Sequence, residues 1–415
     1  MPKSSHAPLS PEDRRMHIQL ALLSLAVMIN VLGFSIIIPL VPEYVQNGLH
    51  TYAKDPRIGE YGGWLTAVYA LMQFLFAPFW GGLSDKIGRK PILLGSLVGD
   101  AVFYTLFGLS THSLVGQFAA RILAGIFSSA SLSVAQAYAA DITPPHLRAM
   151  GLGYLGAAFG VGFILGPAVG GLIGHFNLAW PLYLSALVAL GNMAYIAKYL
   201  PEPNRNPQPE QKAPAGFGSR LRLMGSSVRG PVGFLYLLTF AVTFAFANLE
   251  GTFTTYLKQH FHFGNSVAVA GGVFAYIGLL IVLIQGGAIR PLVKRYGEAN
   301  LVVVGVGLMA LGFLVFPYAP FLSVLLIGPM IPISVGNGLN APALRALISR
   351  KATAQGAALG LSASFDSLAR ATGPAFGGYL YRTLGQTAPY WCAGIVMSLA
   401  FGFALLKTRE MSEGT

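Results

Sequence analysis

Gly81-Gly-Leu-Ser-Asp-Lys-Ile-Gly-Arg-Lys90 lies between two apolar runs, Trp64 to Trp80 and Pro91 to Leu109. It therefore reads as a short charged turn pinned between two membrane spans. Glycines at 81, 82 and 88 let two helix ends approach closely. Asp85, beside Lys86, Arg89 and Lys90, supplies a carboxylate that can pair locally or dock at a helix N-terminus. The cationic excess holds such a loop on the cytoplasmic face. Charge alone would describe any positive-inside loop, whereas the Gly-x-x-x-Asp-Lys-x-Gly-Arg-Lys spacing is far more specific.

The rest of the chain has the composition that this turn requires. Of 415 residues, 54% are hydrophobic and only 10% charged, against roughly 25% charged in a soluble protein. Each span needs about 20 apolar residues, so the length leaves room for about a dozen. A net charge of +12 would suggest a nucleic-acid partner in a soluble protein, but here the positive-inside bias explains it and no nucleic acid is expected. Cys392 is the only cysteine, which excludes an intramolecular disulfide and a cysteine metal cluster. The first apolar run is too long for a signal peptide and lacks a small-residue cleavage site, so it counts as a span.

Spans are expected near 17–41, 62–84, 91–110, 115–139, 149–173, 179–200, 231–257, 267–290, 298–318, 321–346, 354–380 and 386–407. All should be helical, because an open strand leaves its backbone unsatisfied in lipid. The expectation is an all-α membrane protein of twelve transmembrane helices in two pseudo-symmetric six-helix domains. A cytoplasmic segment 1–16 precedes the first domain, 17–200. A polar, proline-rich linker 201–230 leads to the second domain, 231–407, and a tail 408–415 follows. With both termini inside, inner segments collect 21 of the 27 lysines and arginines. Outer loops hold Lys54, Arg57, Lys258 and Arg382, while Arg121 and Arg370 fall inside spans. That asymmetry fixes the orientation.

The halves repeat. Gly166-Pro-Ala-Val-Gly-Gly171 recurs as Gly373-Pro-Ala-Phe-Gly-Gly378, and Gly81-Gly82 with its charged loop has a degraded echo in Gly286-Gly287, Arg290, Lys294, Arg295 and Gly297. Parallel six-span repeats place a substrate between the halves near the midplane.

The charged loop resembles the one between spans two and three of the major facilitator superfamily. Span one (Asn30, Gly33, Pro39-Leu-Val-Pro42) and Tyr69 to Pro78 in span two resemble the tetracycline and multidrug branch of twelve-span drug:proton antiporters. The resemblance covers essentially the whole chain. It implies that Asp85, Arg89 and Asp141, with Gly81 and Gly88, form a cytoplasmic charge relay that latches one state. It implies that Gly162, Gly166, Pro167, Gly170 and Gly171 form the antiporter motif, which seals the halves against ion leak. From the residues alone the same glycines read equally as tight helix packing. The resemblance also makes Arg121 a gate on proton movement. Tetracycline exporters have an aspartate where Asn30 stands, which sets tetracycline itself and one route of coupling outside what the resemblance carries over.

Ionisable groups inside spans are costly and mark ion pathways. Glu250, without a charged neighbour within a turn on its own helix, is the first proton-coupling candidate, and Asp100 the second. Asp366 stands one turn from Arg370, and the two could simply neutralise each other. Arg121 could equally snorkel to the outer interface. Asn30, Phe34, Gln73, Asn248, Phe253, Gln285, Asn337 and Asn340 are the cavity candidates, since aromatic and amide groups suit a bulky, partly apolar solute; each could also be helix packing. No phosphate-binding loop and no metal-ligand spacing is present. The expectation is a non-enzymatic, proton-coupled exporter of lipophilic or amphipathic small molecules. It would sit in the plasma membrane as a monomer and use no cofactor beyond the proton as coupling ion. A carrier of a defined metabolite (sugar, lipid or organic acid) and a non-transporting membrane receptor or enzyme are the alternatives.

Overall fold

In the computed structural model the described residues are 11–144, 147–203, 217–230, 232–261, 266–352, 355–408 and 411. They form helices α1 (Pro11–Ser35), α2 (Val41–Leu49), α3 (Arg57–Ile87), α4 (Arg89–Leu109), α5 (Leu114–Ile142), α6 (Arg148–Gly174) and α7 (Trp180–Tyr199). A short α8 (Phe217–Ser227) precedes α9 (Gly233–His260), α10 (Ser266–Leu283) and α11 (Ile289–Val315). The chain ends with α12 (Leu322–Leu325), α13 (Ile331–Lys351), α14 (Gln355–Leu384) and α15 (Ala388–Leu406).

Ten helical runs among the described residues are long and apolar enough to cross a membrane. One of them, Val267–Tyr318, is 52 residues long and holds two of the expected spans. Gly297, at φ +76°, breaks it, as Gly88, at φ +118°, separates α3 from α4. Only glycine adopts that backbone cheaply, so the two turns are the same device in the two halves. The remaining expected span is α14, which Ser362, Ser364, Asp366, Ser367, Arg370 and Thr372 make too polar to be counted. Its 30 residues extend about 45 Å, and its partners α3 and α9 shield it from lipid. The twelve spans are thus all present.

Several details differ from the sequence expectation. Span one is broken after Ser35 by a 3-10 turn at Ile38–Leu40 and resumes as α2, because Pro39 and Pro42 lack the backbone donors a continuous helix uses. Two π-helical segments, Ile284–Ala288 and Leu326–Met330, interrupt spans eight and ten. The linker contains α8, and its residues 204–216 lie outside the described set, as do 1–10 and, in the tail, 409, 410 and 412–415. Gly81 and Gly82 are inside α3 with nothing within 4 Å of an added Cβ. Of the three glycines in the opening stretch, only Gly88 makes the turn.

One apolar core lies mainly among α1–α7, with Val267 of α10 at its edge, and a second mainly among α8–α15, with Ile38 and Phe74 of the first half at its edge. Large apolar side chains face outward, among them Leu172 at 67%, Leu187 at 66% and Leu399 at 70% exposure. A soluble surface avoids such a belt, which here meets lipid. The halves meet along α3–α14 and α6–α10. Gly166 and Gly170 of α6 lie against Ser35 and the Ile36 carbonyl on span one, while Gly171 meets Gly271 of α10. The repeat does the same: Gly373 and Gly377 of α14 lie against Phe244 and Asn248 of α9, while Gly378 meets the Gly59 carbonyl of α3. Each copy therefore packs its own half with one face and joins the halves with the other.

Candidate functional site

A chain of ring and charge contacts runs from one half to the other. In the first half, Phe34 stacks on Tyr69 with centroids 5.7 Å apart, and lies 6.4 Å from Phe159 and 6.1 Å from Phe163. These half-buried rings, with the buried Tyr69, form an aromatic wall. Across the interface, the Arg370 guanidinium stands 5.6 Å from the Phe159 centroid, a cation–π geometry. Glu250 of α9 lies within electrostatic reach of Arg370, and its buried Oε1 has no hydrogen-bond partner. Asp366 turns elsewhere and accepts a hydrogen bond from the Thr243 hydroxyl. No ion pair joins Asp366 to Arg370, so their helical spacing does not make them neutralise each other. Glu250, with no charged neighbour within a turn on its own helix, acquires its cation from α14.

Behind the wall, Asp100 is fully buried. Its Oδ2 accepts from Asn30 Nδ2 at 3.0 Å, while Oδ1 has no partner. Asn30 also reaches Ser131 at 3.4 Å. Arg121 does not snorkel outward: it is 2% exposed and lies 4.7 Å over the Tyr69 ring and 5.9 Å from that of Phe107. Its Nε and one terminal nitrogen make no hydrogen bond. Tyr69 donates to Ser128 at 2.7 Å, and Gln73 reaches the same hydroxyl at 3.4 Å.

The cavity candidates divide. Asn30, Phe34, Gln73, Gln285 and Asn337 are half-buried, and Gln285 lies in a π-helical segment, a distortion that recurs at functional sites. Asn248, Phe253 and Asn340 are instead fully buried and packed between helices in this structure. Asn248 donates to the Pro389 carbonyl at 3.0 Å, Phe253 sits edge-on to Phe274 and Phe316, and Asn340 fits against Gly305. Phe159 and Phe163 were missed. Two phenylalanines in a glycine-rich helix carry no polar signal, although their four-residue spacing puts them on one face.

At the end of the molecule carrying the opening stretch, Arg89 pairs with Asp85 at 2.5 Å and with Asp141 at 2.8 Å. Glu202, also missed, accepts from the backbone nitrogens of Arg89 and Lys90 at 2.6 and 2.9 Å. An acid at a helix N-terminus is favourable there, and the preceding turn at Gly88 leaves room for it. The Arg148 side chain is outside the described set.

The opposite end is held differently. Lys258 binds Glu43 at 2.6 Å and Gln46 at 2.5 Å, and Arg382 pairs with Glu60 at 2.5 Å. Gln259 donates to the carbonyls of Ala53 and Asp55 and accepts from Tyr381. Beside this seam, hydrogen bonds from Arg57 hold the Asp55 carboxyl well below the usual carboxylate range. A lowered folded value stabilises above the unfolded pKa of about 3.9, and the contribution is lost only as pH falls through the lower folded one. Mild acidification therefore leaves the Asp55–Arg57 pair intact. Among the described residues, every ion pair that crosses between halves lies at this end, and those at the other end stay within one half.

The Lys258–Glu43 pair is largely shielded, with side-chain exposures of 12% and 19%. Glu43→Gln or Lys258→Glu alone should lower the melting temperature of the purified protein by stranding a shielded charge. The double exchange Glu43→Lys/Lys258→Glu should recover part of that loss in the same melting experiment. A double exchange as unstable as the single variants would show that the pair does not join the halves.

Comparison with known proteins places these features in a family. A sequence model described as Major Facilitator Superfamily matches residues 23–371. The chain is 31% identical over 380 residues to the class C tetracycline resistance protein of Escherichia coli, covering 90% of this chain and 92% of that one. It is 29% identical over 394 residues to multidrug resistance protein 2 of Bacillus subtilis (strain 168), covering 93% and 94%. The crystal structure of the human organic anion transporter MFSD10 (TETRAN) superposes with a TM-score of 0.71 at 26% identity, covering 95% of this chain and all of that one.

Proposed function

The chain belongs to the major facilitator superfamily of membrane transporters, and from that premise we propose that it is a proton-coupled exporter of lipophilic and amphipathic small molecules. The observation that carries this reading is the aromatic wall facing Glu250 and Arg370, set between halves whose joining ion pairs, among the described residues, lie at one end. The segments 17–200 and 231–407 rock against each other about this site, with both termini in the cytoplasm of a cell whose plasma membrane holds the protein. The cavity opens at the end carrying Arg89. The glycine seams and the Lys258 and Arg382 pairs hold the far end shut, while the Asp85–Arg89–Asp141 relay ties α3, α4 and α5 together within the first half, so that it moves as one body. Glu250 exchanges the coupling proton, with Asp100 as the second exchanger, while Arg121 and Asp366 tune the field around them. One chain contains both halves, so a monomer suffices, and the proton is the only cofactor. One charge crossing about 150 mV supplies roughly 3.5 kcal/mol, enough for a gradient of a few hundred-fold.

Everted vesicles with an imposed pH gradient are expected to accumulate a hydrophobic dye, and to stop when the gradient is collapsed by an ionophore. Vesicles that accumulate no member of a panel of dyes, drugs, sugars and lipids under any gradient would sink the reading.

A second reading is favoured by Arg370, a cation that makes no ion pair and lies on an aromatic ring between the halves. A protonated Glu250 would leave that cation free for an organic anion, the class in the name of the human relative, and the neighbouring ring would favour an aromatic carboxylate. The two readings separate by sign. Lowering pH at the open cavity should weaken binding of an aromatic cation, which competes with the proton for Glu250, and strengthen binding of an aromatic carboxylate at Arg370.

A further inference from the structure

We propose that the crevice between the start of α1 and the end of α7 is a binding site for the phosphate of an anionic phospholipid. It lies outside the transport site, on the flank of the first half, and does not depend on what that site carries. The crevice has a volume of about 310 Å³. That is roughly ten water volumes, the scale of a glycerophosphate group.

Its lining runs from charged to apolar along one face of α1. Arg14 and Arg15 stand at the mouth, Gln19 and Ile18 one turn deeper, and Leu22 a turn beyond, with Tyr199 of α7 opposite. Positions 14, 15, 18, 19 and 22 share a helix face, and eight residues of helix span about 12 Å. The gradient therefore follows the path from a lipid headgroup into its acyl chains. Ile18 is 51% exposed, which costs free energy in water but suits contact with an acyl chain.

The arginines are available. Neither makes an ion pair or a side-chain hydrogen bond among the described residues, although Arg89, Lys258, Arg350 and Arg382 all do. Two adjacent guanidiniums present paired donors that match phosphate oxygens bidentately. The Lys198 ammonium, 5.1 Å from the Tyr199 ring centroid, adds charge beside the mouth. A tyrosine at the headgroup level, with its ring apolar and its hydroxyl wet, completes an interfacial site. Basic pockets between helices on the cytoplasmic side are where anionic headgroups bind. A free phosphate would use the arginines alone, whereas the lipid also uses Ile18 and Leu22, and this decides for the lipid.

The test is titration of the purified full chain in detergent with dioleoyl-phosphatidylglycerol, dioleoyl-phosphatidylcholine or inorganic phosphate, read by native mass spectrometry. The wild type should bind phosphatidylglycerol in preference to phosphatidylcholine. The variant Arg14→Gln/Arg15→Gln should lose roughly thirtyfold in phosphatidylglycerol affinity, the combined effect of two cations at an anionic surface. Arg14→Lys/Arg15→Lys should keep most of the preference, and Ile18→Ser should weaken lipid binding while leaving the headgroup preference. Equal binding of the two lipids would reduce the crevice to ordinary annular contact and overturn the proposal. So would an unaffected glutamine variant, or displacement of phosphatidylglycerol by millimolar inorganic phosphate.

Discussion

Glu250→Gln is expected to abolish gradient-driven accumulation while leaving substrate binding and gradient-free exchange within a few-fold of wild type. The side chain is placed for proton exchange because its buried Oε1 has no partner to hold it in one protonation state. When ionised, its charge is balanced only by the Arg370 guanidinium of α14. A lone charge at bilayer depth costs roughly 2.5–3.5 kcal/mol on insertion scales, so the charge state of this acid weighs heavily on which conformation is favoured. Glutamine keeps the shape and removes the proton. Arg370 then carries a permanent uncompensated charge, and a proton gradient has nothing at this site to act on. Accumulation should fall by about a hundredfold, to the level of facilitated diffusion, given the gradient that one coupled charge supports. Glu250→Asp should retain a measurable fraction. Should Glu250→Gln pump as well as the wild type, proton exchange would have to be assigned to Asp100.

The second large effect is expected at the seam that shuts the end away from Arg89. A Cβ at Gly63 of α3 would overlap the Pro374 carbonyl of α14, and one at Gly271 of α10 would stand 2.7 Å from the Pro167 carbonyl of α6. Both obstacles are helix backbone, which cannot rotate aside as a side chain can. Overpacking of this kind costs typically 1–3 kcal/mol. Because each half has its own core, that cost falls on the closed seam and not on folding. Gly63→Val should therefore keep the protein folded, shift it toward the state open at that end by roughly tenfold or more, and reduce transport by a similar factor. In a Cys392→Ala background, a cysteine at Val267, 6% exposed beside the seam, should react faster with a water-soluble maleimide when Gly63→Val is present. Gly191→Val, with nothing within 4 Å of the added Cβ, should change neither rate nor transport. Unaltered labelling in Gly63→Val would show that the seam does not govern access.

The sequence was a sound guide to everything that adds up along the chain. Apolar length marked all twelve spans, including the pair that Gly297 separates and the polar α14 that its neighbours cover. It did not show that span one breaks after Ser35 or that spans eight and ten carry π-helical segments. It was a poor guide to partnership. The Asp366–Arg370 spacing suggested a local pair, but the rotation of α14 turns Arg370 to Phe159 and Glu250 and leaves Asp366 to Thr243. Asn248, Phe253 and Asn340 looked like cavity groups because amides and rings in lipid are conspicuous, and they are spent on helix contacts. Glu43 and Lys258 are 215 residues apart, beyond anything that periodicity or motif spacing could join.

Hydropathy, charge bias and the doubled glycine–proline motif determined on their own that this is a duplicated twelve-helix membrane bundle, because transfer from water to lipid is a local free energy that each segment bears separately. Which acid faces which cation, which rings line the interface and which end is closed were decided only in three dimensions. Those depend on how far each helix is rotated and how closely glycines let backbones approach, and such steric terms exist only between segments once they are packed.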